Sequence, residues 1–255
     1  MSSMLSILMI TKNSEELLEQ SLSSVSELSD NIVIVDDYST DNTVTIAKKY
    51  KATIYQNHNN DLGVQRSLGL SKCKGKWVLM LDADEIITDN LRKEITLSIS
   101  DNDPHNDIVG YYIPYQNHLF GKPIYFGGED YKVLRLFKRK NGIIRDNAVH
   151  EHVEVRGKTN TLNNKIFHYS YRRPIQVIRK FTDYAKREAK RKTQNNEKSS
   201  IRKLTFYPFH MVWARYIKDK GYKDGIIRLF LDLAFGYMEF YTYLFLFYEN
   251  NKNRN

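Results

Sequence analysis

The stretch WVLMLDADE, residues 77–85, carries the strongest local signal for the fold of this chain. Five apolar residues in a row have the length of a buried strand, and the acidic stretch DADE begins where that strand ends. Three similar apolar runs lie upstream, at residues 4–10, 32–35 and 52–55. Strands that are apolar throughout are buried on both faces, as in a parallel sheet.

Helical periodicity follows each of these four runs. Asn13 is a suitable N-cap three residues before Glu16, and further helices are predicted at about residues 43–50, 62–70 and 90–99. Four strand–helix units in succession predict an α/β fold, a parallel sheet with helices on both faces. Ligands of such sheets bind outside the carboxyl ends of the strands.

Polar residues follow three of the predicted strands. The residues are Thr11 and Asn13 after the first, Asp36 and Asp37 after the second, and Asp82 and Asp84 after the fourth. A carboxylate can accept hydrogen bonds from a nucleoside, and two carboxylates one residue apart can hold a divalent cation that bridges a diphosphate. Acidic residues at strand ends are also ordinary turn formers, so a D-x-D pair is weak evidence when it stands alone.

Three segments together resemble the family 2 glycosyltransferases of the GT-A fold: TKNSE at 11–15, VDDYSTDNT at 35–43 and LDADE at 81–85. The resemblance implies a Rossmann-like mixed sheet and an inverting transfer from a nucleotide-diphosphate sugar such as a UDP-hexose. It places Thr11, Asn13, Glu15, Asp36 and Asp37 at the donor. It also places Asp82 near the nucleotide and Asp84 on Mg²⁺ or Mn²⁺. Tyr38 departs from the small residue usual after the D-D pair.

Later segments resemble the lipopolysaccharide inner-core glucosyltransferase branch of the family. They are YKVLRLFKR at 131–139, AVHE at 148–151, and Asp224-Gly225 before the last apolar run. This resemblance implies transfer of glucose to a lipid-linked core saccharide. A peptide or a polyisoprenyl phosphate is the alternative acceptor within the same family.

An inverting transferase needs a general base to take the proton of the acceptor hydroxyl. Glu151 in V-H-E is the preferred candidate and Asp130 in G-G-E-D is the second. A salt bridge to one of the many arginines is the competing role for Glu151. His150 could complete the metal shell as a neutral imidazole, and Arg135 could meet the donor diphosphate from its strand.

The C-terminal part is predicted to be helical and rich in aromatics. Pro174 suits the first turn of a basic helix that runs to about Lys192. The apolar run Ile226–Tyr248 is long enough to cross a bilayer, but it contains three charged residues, Arg228, Asp232 and Glu239. Central charges cost roughly 2.5–3.5 kcal/mol each, so this segment is expected to lie on a membrane, with packing on the protein or on a second subunit as the alternative.

The charges divide the chain unequally. Residues 1–110 contain 10 Lys/Arg and 17 Asp/Glu, and residues 111–255 contain 29 and 13. The basic half indicates an anionic partner, for which a membrane is expected rather than a nucleic acid. A receiver-type signalling domain is disfavoured because its acidic pair follows the first strand, whereas here the pair follows the second.

We predict a catalytic domain at residues 1–172, with a nucleotide-binding half at 1–107 and an acceptor half at 108–172. A helical extension is predicted at 173–255. Cys73, the single cysteine, has no partner for a disulfide, and the N-terminus has no basic region before its short apolar run. These features predict a cytoplasmic protein, located at the inner face of the cytoplasmic membrane.

Overall fold

The computed structural model describes residues 4–59, 61–100, 107–144 and 153–252. Its strands are β1 (Leu5–Thr11), β2 (Ile32–Asp36), β3 (Thr53–Gln56), β4 (Trp77–Asp82), β5 (Glu85–Ile87), β6 (Ile108–Leu119), β7 (Lys122–Pro123), β8 (Lys132–Lys138), β9 (Gly142–Ile144), β10 (Val153–Val155), β11 (Lys158–Thr161) and β12 (Ile166–Tyr171). Its α-helices are α1 (Glu15–Val25), α2 (Thr43–Lys49), α3 (Leu62–Lys72), α4 (Asp89–Ser98), α5 (Pro174–Gln194), α6 (Ile201–Trp213) and α7 (Ile226–Lys252).

The main sheet is mixed. Its strand order is β3-β2-β1-β4-β8-β6-β12-β5, and β11 and β7 both pair with β6. Strands β3, β2, β1 and β4 are mutually parallel, whereas β8 is antiparallel to both β4 and β6. The predicted α/β fold, a mixed sheet with a C-terminal helical extension, is therefore confirmed.

Two apolar layers explain why the parallel strands are apolar on both faces. Alternate residues of β1 point to opposite sides, so that Ile7 packs in the layer with α1 and α4 while Leu8 packs in the layer that contains Cys73. Gly69 of α3 lies so close to β1 that a Cβ there would come within 2.2 Å of the Leu8 side chain. The absence of a side chain at Gly69 thus lets α3 pack closely on the sheet.

The chain forms two compact units. The first contains Met1–Tyr115 and Tyr131–His168, and the second contains Gln116–Asp130 and Tyr169–Asn255. These units differ from the predicted boundary at residue 172, because the short segment Gln116–Asp130 belongs with the C-terminal helices. The cause is packing: Leu119 and Ile124 share an apolar core with α5 and α7.

Helix α7 is the central element of the second unit and packs against both α5 and α6. The predicted basic helix is α5, and the next helix, α6, is followed by a π-helical turn, Ala214–Lys218. In the part of the chain that the structure describes, α7 alone has the length and the apolar composition of a membrane-spanning helix. Of its most apolar window, 39% is buried.

Candidate active site

The carboxyl ends of three adjacent strands bring the predicted donor residues together in the first unit. Thr11 of β1 pairs with Asp36 of β2, and Ile10 pairs with Asp82 of β4. The Thr11 hydroxyl donates to Asp36 Oδ1 over 2.8 Å, and the backbone N–H and hydroxyl of Ser39 also donate to that carboxylate. Asp36 is fully buried and therefore fixes the turn after β2.

Asp37 is the carboxylate of this pair whose partners are exposed surface groups. Lys12 Nζ donates to Asp37 Oδ2 over 2.6 Å, and His58 Nδ1 lies 2.6 Å from Oδ1. The hydrogen bond from Lys12, opposed by burial and helped by His58, lowers the pKa of Asp37. The Lys12 and His58 side chains are 57% and 64% exposed. Contact of Asp37 with a nucleoside stays a prediction.

Asn13 and Glu15 connect the loop after β1 to the loop after β2. Asn13 Oδ1 accepts from Thr40 N, and Glu15 Oε2 accepts from both the backbone and the side chain of Asn42. Asn13 and Tyr38 both have positive φ, +47° and +49°. Such a conformation suits asparagine but strains a bulky residue, so the departure at Tyr38 falls at a strained turn. Donor contacts by Asn13 and Glu15 stay predictions.

The D-x-D segment is held by a buried network of charges. Arg66 donates to Asp82 Oδ1 over 2.9 Å, and Arg135 donates to Asp82 Oδ2 over 2.7 Å and to Glu85 Oε1 over 2.6 Å. Burial opposes the charge on Asp82, but Arg135 and Arg66 outweigh it and hold its pKa well below the usual range. Asp82 therefore stays ionised near neutral pH.

Glu85 lies at the centre of this network, although its motif alone assigned it no role. It is fully buried, and its Oε2 accepts from the backbone N–H of Asp82 over 3.0 Å. Tyr115 donates its hydroxyl to Glu85 Oε1 over 2.6 Å. Burial raises the pKa of Glu85, with Arg135 opposing. Glu85 thus fixes the turn that presents Asp82 and Asp84.

Arg135, which is predicted to contact the donor diphosphate, is buried and binds protein carboxylates in the structure. Its side chain is 7% exposed, and its guanidinium bonds reach Asp82, Glu85 and the Tyr115 hydroxyl. Those carboxylates raise the pKa of Arg135 well above its ordinary value despite burial. A direct contact of Arg135 with the donor diphosphate stays a prediction, and its observed contacts are with the acidic turn.

Asp84 has a neighbour that the sequence motif did not reveal, His168 of β12. His168 Nε2 lies 3.6 Å from Asp84 Oδ1, and the two side chains are 16% and 27% exposed. Strand pairing brings His168 close to Asp84, because β12 is antiparallel to β5 and His168 lies opposite Glu85, the residue after Asp84. A carboxylate oxygen and an imidazole nitrogen are ligands that Mn²⁺ accepts, and both belong to one wall of the site.

A complete protein cage for a metal is absent from the described ranges, since they contain no group of three or more His, Cys, Asp or Glu side chains suited to one. Two protein ligands leave coordination positions for diphosphate oxygens, which is how Mg²⁺ is commonly bound at phosphate sites. His150 and Glu151 lie outside the described residues, so the predicted metal and base roles there stay predictions.

Asp130, the second candidate base, is an exposed residue of the second unit. The turn before it is fastened by buried charges. Arg228 Nη2 donates to the Gly127 carbonyl over 2.8 Å, and Arg215 donates to Glu129 Oε1. Gly127 has φ +70°, and a Cβ there would come within 2.2 Å of the Arg228 guanidinium. Glycine is therefore required at Gly127 both by the backbone and by the packing.

Comparison with known proteins gives the family of the chain. The sequence model of Glycosyl transferase family 2 matches residues 6–168. A Rickettsia conorii protein described as an uncharacterized glycosyltransferase is 29% identical over 251 residues, which cover 89% of this chain and 86% of that protein. Staphylococcus aureus poly(ribitol-phosphate) beta-N-acetylglucosaminyltransferase TarS is 28% identical over 115 residues, 41% of this chain and 20% of that protein.

Solved structures are similar at lower sequence identity. Residues 1–349 of S. aureus TarS align over 98% of this chain and 91% of that one, with 14% identity and a TM-score of 0.47. Mycobacterium tuberculosis glucosyl-3-phosphoglycerate synthase, solved with Mn²⁺ and UDP-glucose, aligns over 47% of this chain and 44% of that one, with 18% identity and a TM-score of 0.37.

Proposed function

This chain belongs to glycosyl transferase family 2, and from that premise we propose that it transfers a hexose, expected to be glucose, from UDP to a lipid-linked saccharide. A lipopolysaccharide core is the expected acceptor. Such an acceptor places the enzyme at the inner face of the cytoplasmic membrane. The observation that supports the proposal most is the position of Asp37, Asp82 and Asp84 at the ends of neighbouring strands, with His168 beside Asp84.

Donor binding is assigned to the strand ends. Asp37 would accept hydrogen bonds from the uracil or ribose in exchange for those from Lys12 and His58. Asp82 keeps its negative charge between two guanidinium groups and is 30% exposed, so it can still accept from a ribose hydroxyl. These carboxylates orient the nucleotide along the sheet edge.

Asp84 and His168 would hold Mg²⁺ or Mn²⁺. When bound, the cation would stabilise the negative charge that develops on the diphosphate leaving group. The fit rests on chemistry and distance, because an oxygen and a nitrogen ligand lie 3.6 Å apart on one wall. The buried network around Glu85 keeps the turn with Asp84 in place before the donor arrives.

The general base would take the proton of the acceptor hydroxyl as its oxygen attacks the anomeric carbon, which gives inversion. Glu151 and Asp130 remain the candidates. Asp130 has a physical argument in its favour: it is exposed, and Glu129 immediately before it is 3% exposed and bound by Arg215 and Asn117. These contacts hold the turn before Asp130 in one conformation within the second unit.

The experiment is a transfer assay with UDP-glucose and UDP-galactose, in Mn²⁺ or EDTA, against lipopolysaccharide core, a polyisoprenyl phosphate and a peptide. We expect metal-dependent glucosylation of the core saccharide, identified by mass spectrometry. Transfer to one of the other acceptors would show that the proposed acceptor is wrong and that the chain is nevertheless a sugar transferase. Absence of any metal-dependent turnover, together with tight and salt-sensitive nucleic-acid binding, would overturn the proposal.

A further inference from the structure

Helix α7 buries two charged residues beside its apolar core residues and leaves several other apolar residues exposed. Arg228 and Asp232 are 0% exposed, whereas Ile226 and Leu233 are 80% and 54% exposed. The exposed apolar residues recur at helical spacing along one face. They are Ile226, Leu233, Phe240, Leu244, Phe247 and Tyr248, which we call the α7 apolar face.

The charges of α7 are neutralised inside the unit. Arg228 donates from Nε to Asp232 Oδ1 over 2.9 Å, and Asp232 also lies 3.4 Å from Arg215 Nε. Glu239 is partly buried, and burial raises its pKa, with Lys192 opposing. The exposed residues of α7 from Leu233 to Tyr248 are thus all apolar or aromatic, a grouping that soluble domains seldom expose.

A groove beside the α7 apolar face combines apolar and cationic walls. It has a volume of about 950 Å³ and lies between α5 and the second half of α7. Leu244, Phe247, Tyr248 and the acidic Glu249 line the α7 side, and Lys186 and Lys190 line the α5 side, so the two cationic residues outnumber the one acidic residue. This arrangement matches an amphiphile with an apolar chain and an anionic head group.

Helix α6 presents a second exposed stripe. Phe206, Phe209, Trp213 and the nearby Ile217 are each at least half exposed, and none of the helix residues is buried. The spacing of three and then four residues places Phe206, Phe209 and Trp213 on one side. Phe and Trp side by side with Lys and Arg are typical of helices that lie in a membrane interface.

We propose that the second unit docks on a bilayer that contains anionic lipid, with the α7 apolar face in the interface and Lys186 and Lys190 on a lipid head group. The choice of a membrane as the partner rests on the proposed function, in which the acceptor is lipid-linked, and names the surface that would bind the membrane. Residues 169–255 contain 19 Lys/Arg and 8 Asp/Glu, so this part of the chain attracts anionic lipid. A second copy on the same face would bring like charges together.

The helix lies along the membrane surface and does not span it. A spanning α7 would have to remove Arg228 and Asp232 from their buried pair and expose both to hydrocarbon. Lying flat, α7 keeps that pair inside and still contributes its apolar face. The distance from Ile226 to Tyr248 along the axis is about 33 Å at 1.5 Å per residue, enough for a long contact line.

The test is co-sedimentation of the full chain with vesicles of phosphatidylcholine alone or mixed with phosphatidylglycerol. We expect binding to the mixed vesicles and a fall of about a hundredfold in the partition coefficient for Leu233→Ser/Phe240→Ser. Lys186→Glu/Lys190→Glu should lose on the order of tenfold, and only on anionic vesicles. Leu97→Ser and Lys93→Glu change exposed residues of α4 and should bind as the wild type does.

Two readouts separate this surface from the proposed chemistry. UDP binding should be unchanged in both double variants, because neither touches the strand ends, and it shows at the same time that each variant is folded. The proposed docking on a membrane would be refuted if the wild-type protein did not bind anionic vesicles, or if the double variants bound them as strongly as the wild type does. A dimer in size-exclusion chromatography that Leu233→Ser/Phe240→Ser dissociates would also overturn it, in favour of a second copy. Vesicle binding without any sugar transfer would refute only the proposed function.

Discussion

Asp82 holds its charge because two guanidinium groups outweigh the effect of its burial. A folded-state pKa below the unfolded value of about 3.9 stabilises the protein above that pH, and the stabilisation is lost as pH falls toward the folded pKa. For a carboxylate with a raised pKa in the folded state, stability would instead fall as the pH rises. The Asp82 network is therefore expected to contribute fully at neutral pH and progressively less in acid.

We predict that Asp82→Asn lowers the free energy of unfolding by roughly 2–4 kcal/mol at pH 7, since it breaks a largely buried ion network. The difference from the wild type should stay constant down to about pH 5 and narrow below about pH 4. Urea unfolding at several pH values measures it. Asp30→Asn, at an exposed position, is the matched control, and a difference that persists or widens in acid would contradict the assignment.

The base can be identified by two amide substitutions. If Asp130 is the base, Asp130→Asn should reduce kcat by about 10²–10⁴ and leave UDP binding intact, because general-base catalysis contributes about that much. If Glu151 is the base, Glu151→Gln should have this effect instead. The measurement is the rate of transfer together with the affinity for UDP, and near-wild-type rates in both variants would exclude both candidates.

At the scale of elements, α7 and the turn before Asp130 form one anchored assembly within the second unit. Asp224 accepts from the N–H groups of Tyr125 and Phe126, and Asp219 O accepts from Gly127 N over 2.9 Å. Arg228 completes the set by binding the Gly127 carbonyl. The C-terminal extension thereby determines the conformation of a segment distant in sequence.

We predict that Arg228→Met destabilises the fold by about 3–5 kcal/mol, because it leaves Asp232 buried without its closest partner. Arg228→Met/Asp232→Leu removes both charges and should recover part of that loss. If the anchor positions Asp130, the double variant should still show a lowered kcat with an unchanged KM for the donor. Full kcat in a stable double variant would mean that the anchor is structural alone.

Several elements could be predicted from the sequence and others could not. Strands β1 to β4 and their helices follow from apolar runs and turns, so their bounds agree with the predictions within a few residues. Strand β5 is only three residues long and has no pattern of its own. The aromatic composition of α7 was visible, but the burial of Arg228 and Asp232 depends on Arg215 and the Gly127 turn.

At the scale of the whole molecule, the family and the order of the strand-end carboxylates were predictable because they lie within short segments. His168 was not, since strand pairing between β12 and β5 brings it to Asp84 from a distant part of the chain. The sequence predicts that Arg135 contacts the donor diphosphate, whereas in the structure it donates to Asp82 and Glu85. The alternation of residues along a strand does not show whether an arginine binds a ligand or a buried carboxylate. Long-range pairing is the information that the motifs lacked.

We propose that Asp84 and His168 hold a divalent cation that binds the donor diphosphate. Calorimetric titration of UDP with and without Mn²⁺ tests it most directly. We predict that Mn²⁺ strengthens UDP binding by about tenfold or more, some 1.4 kcal/mol, and that Asp84→Asn and His168→Gln each lose this gain while Asp30→Asn keeps it. UDP affinity that is independent of Mn²⁺, or a full gain in Asp84→Asn, would show that Asp84 and His168 do not hold the cation.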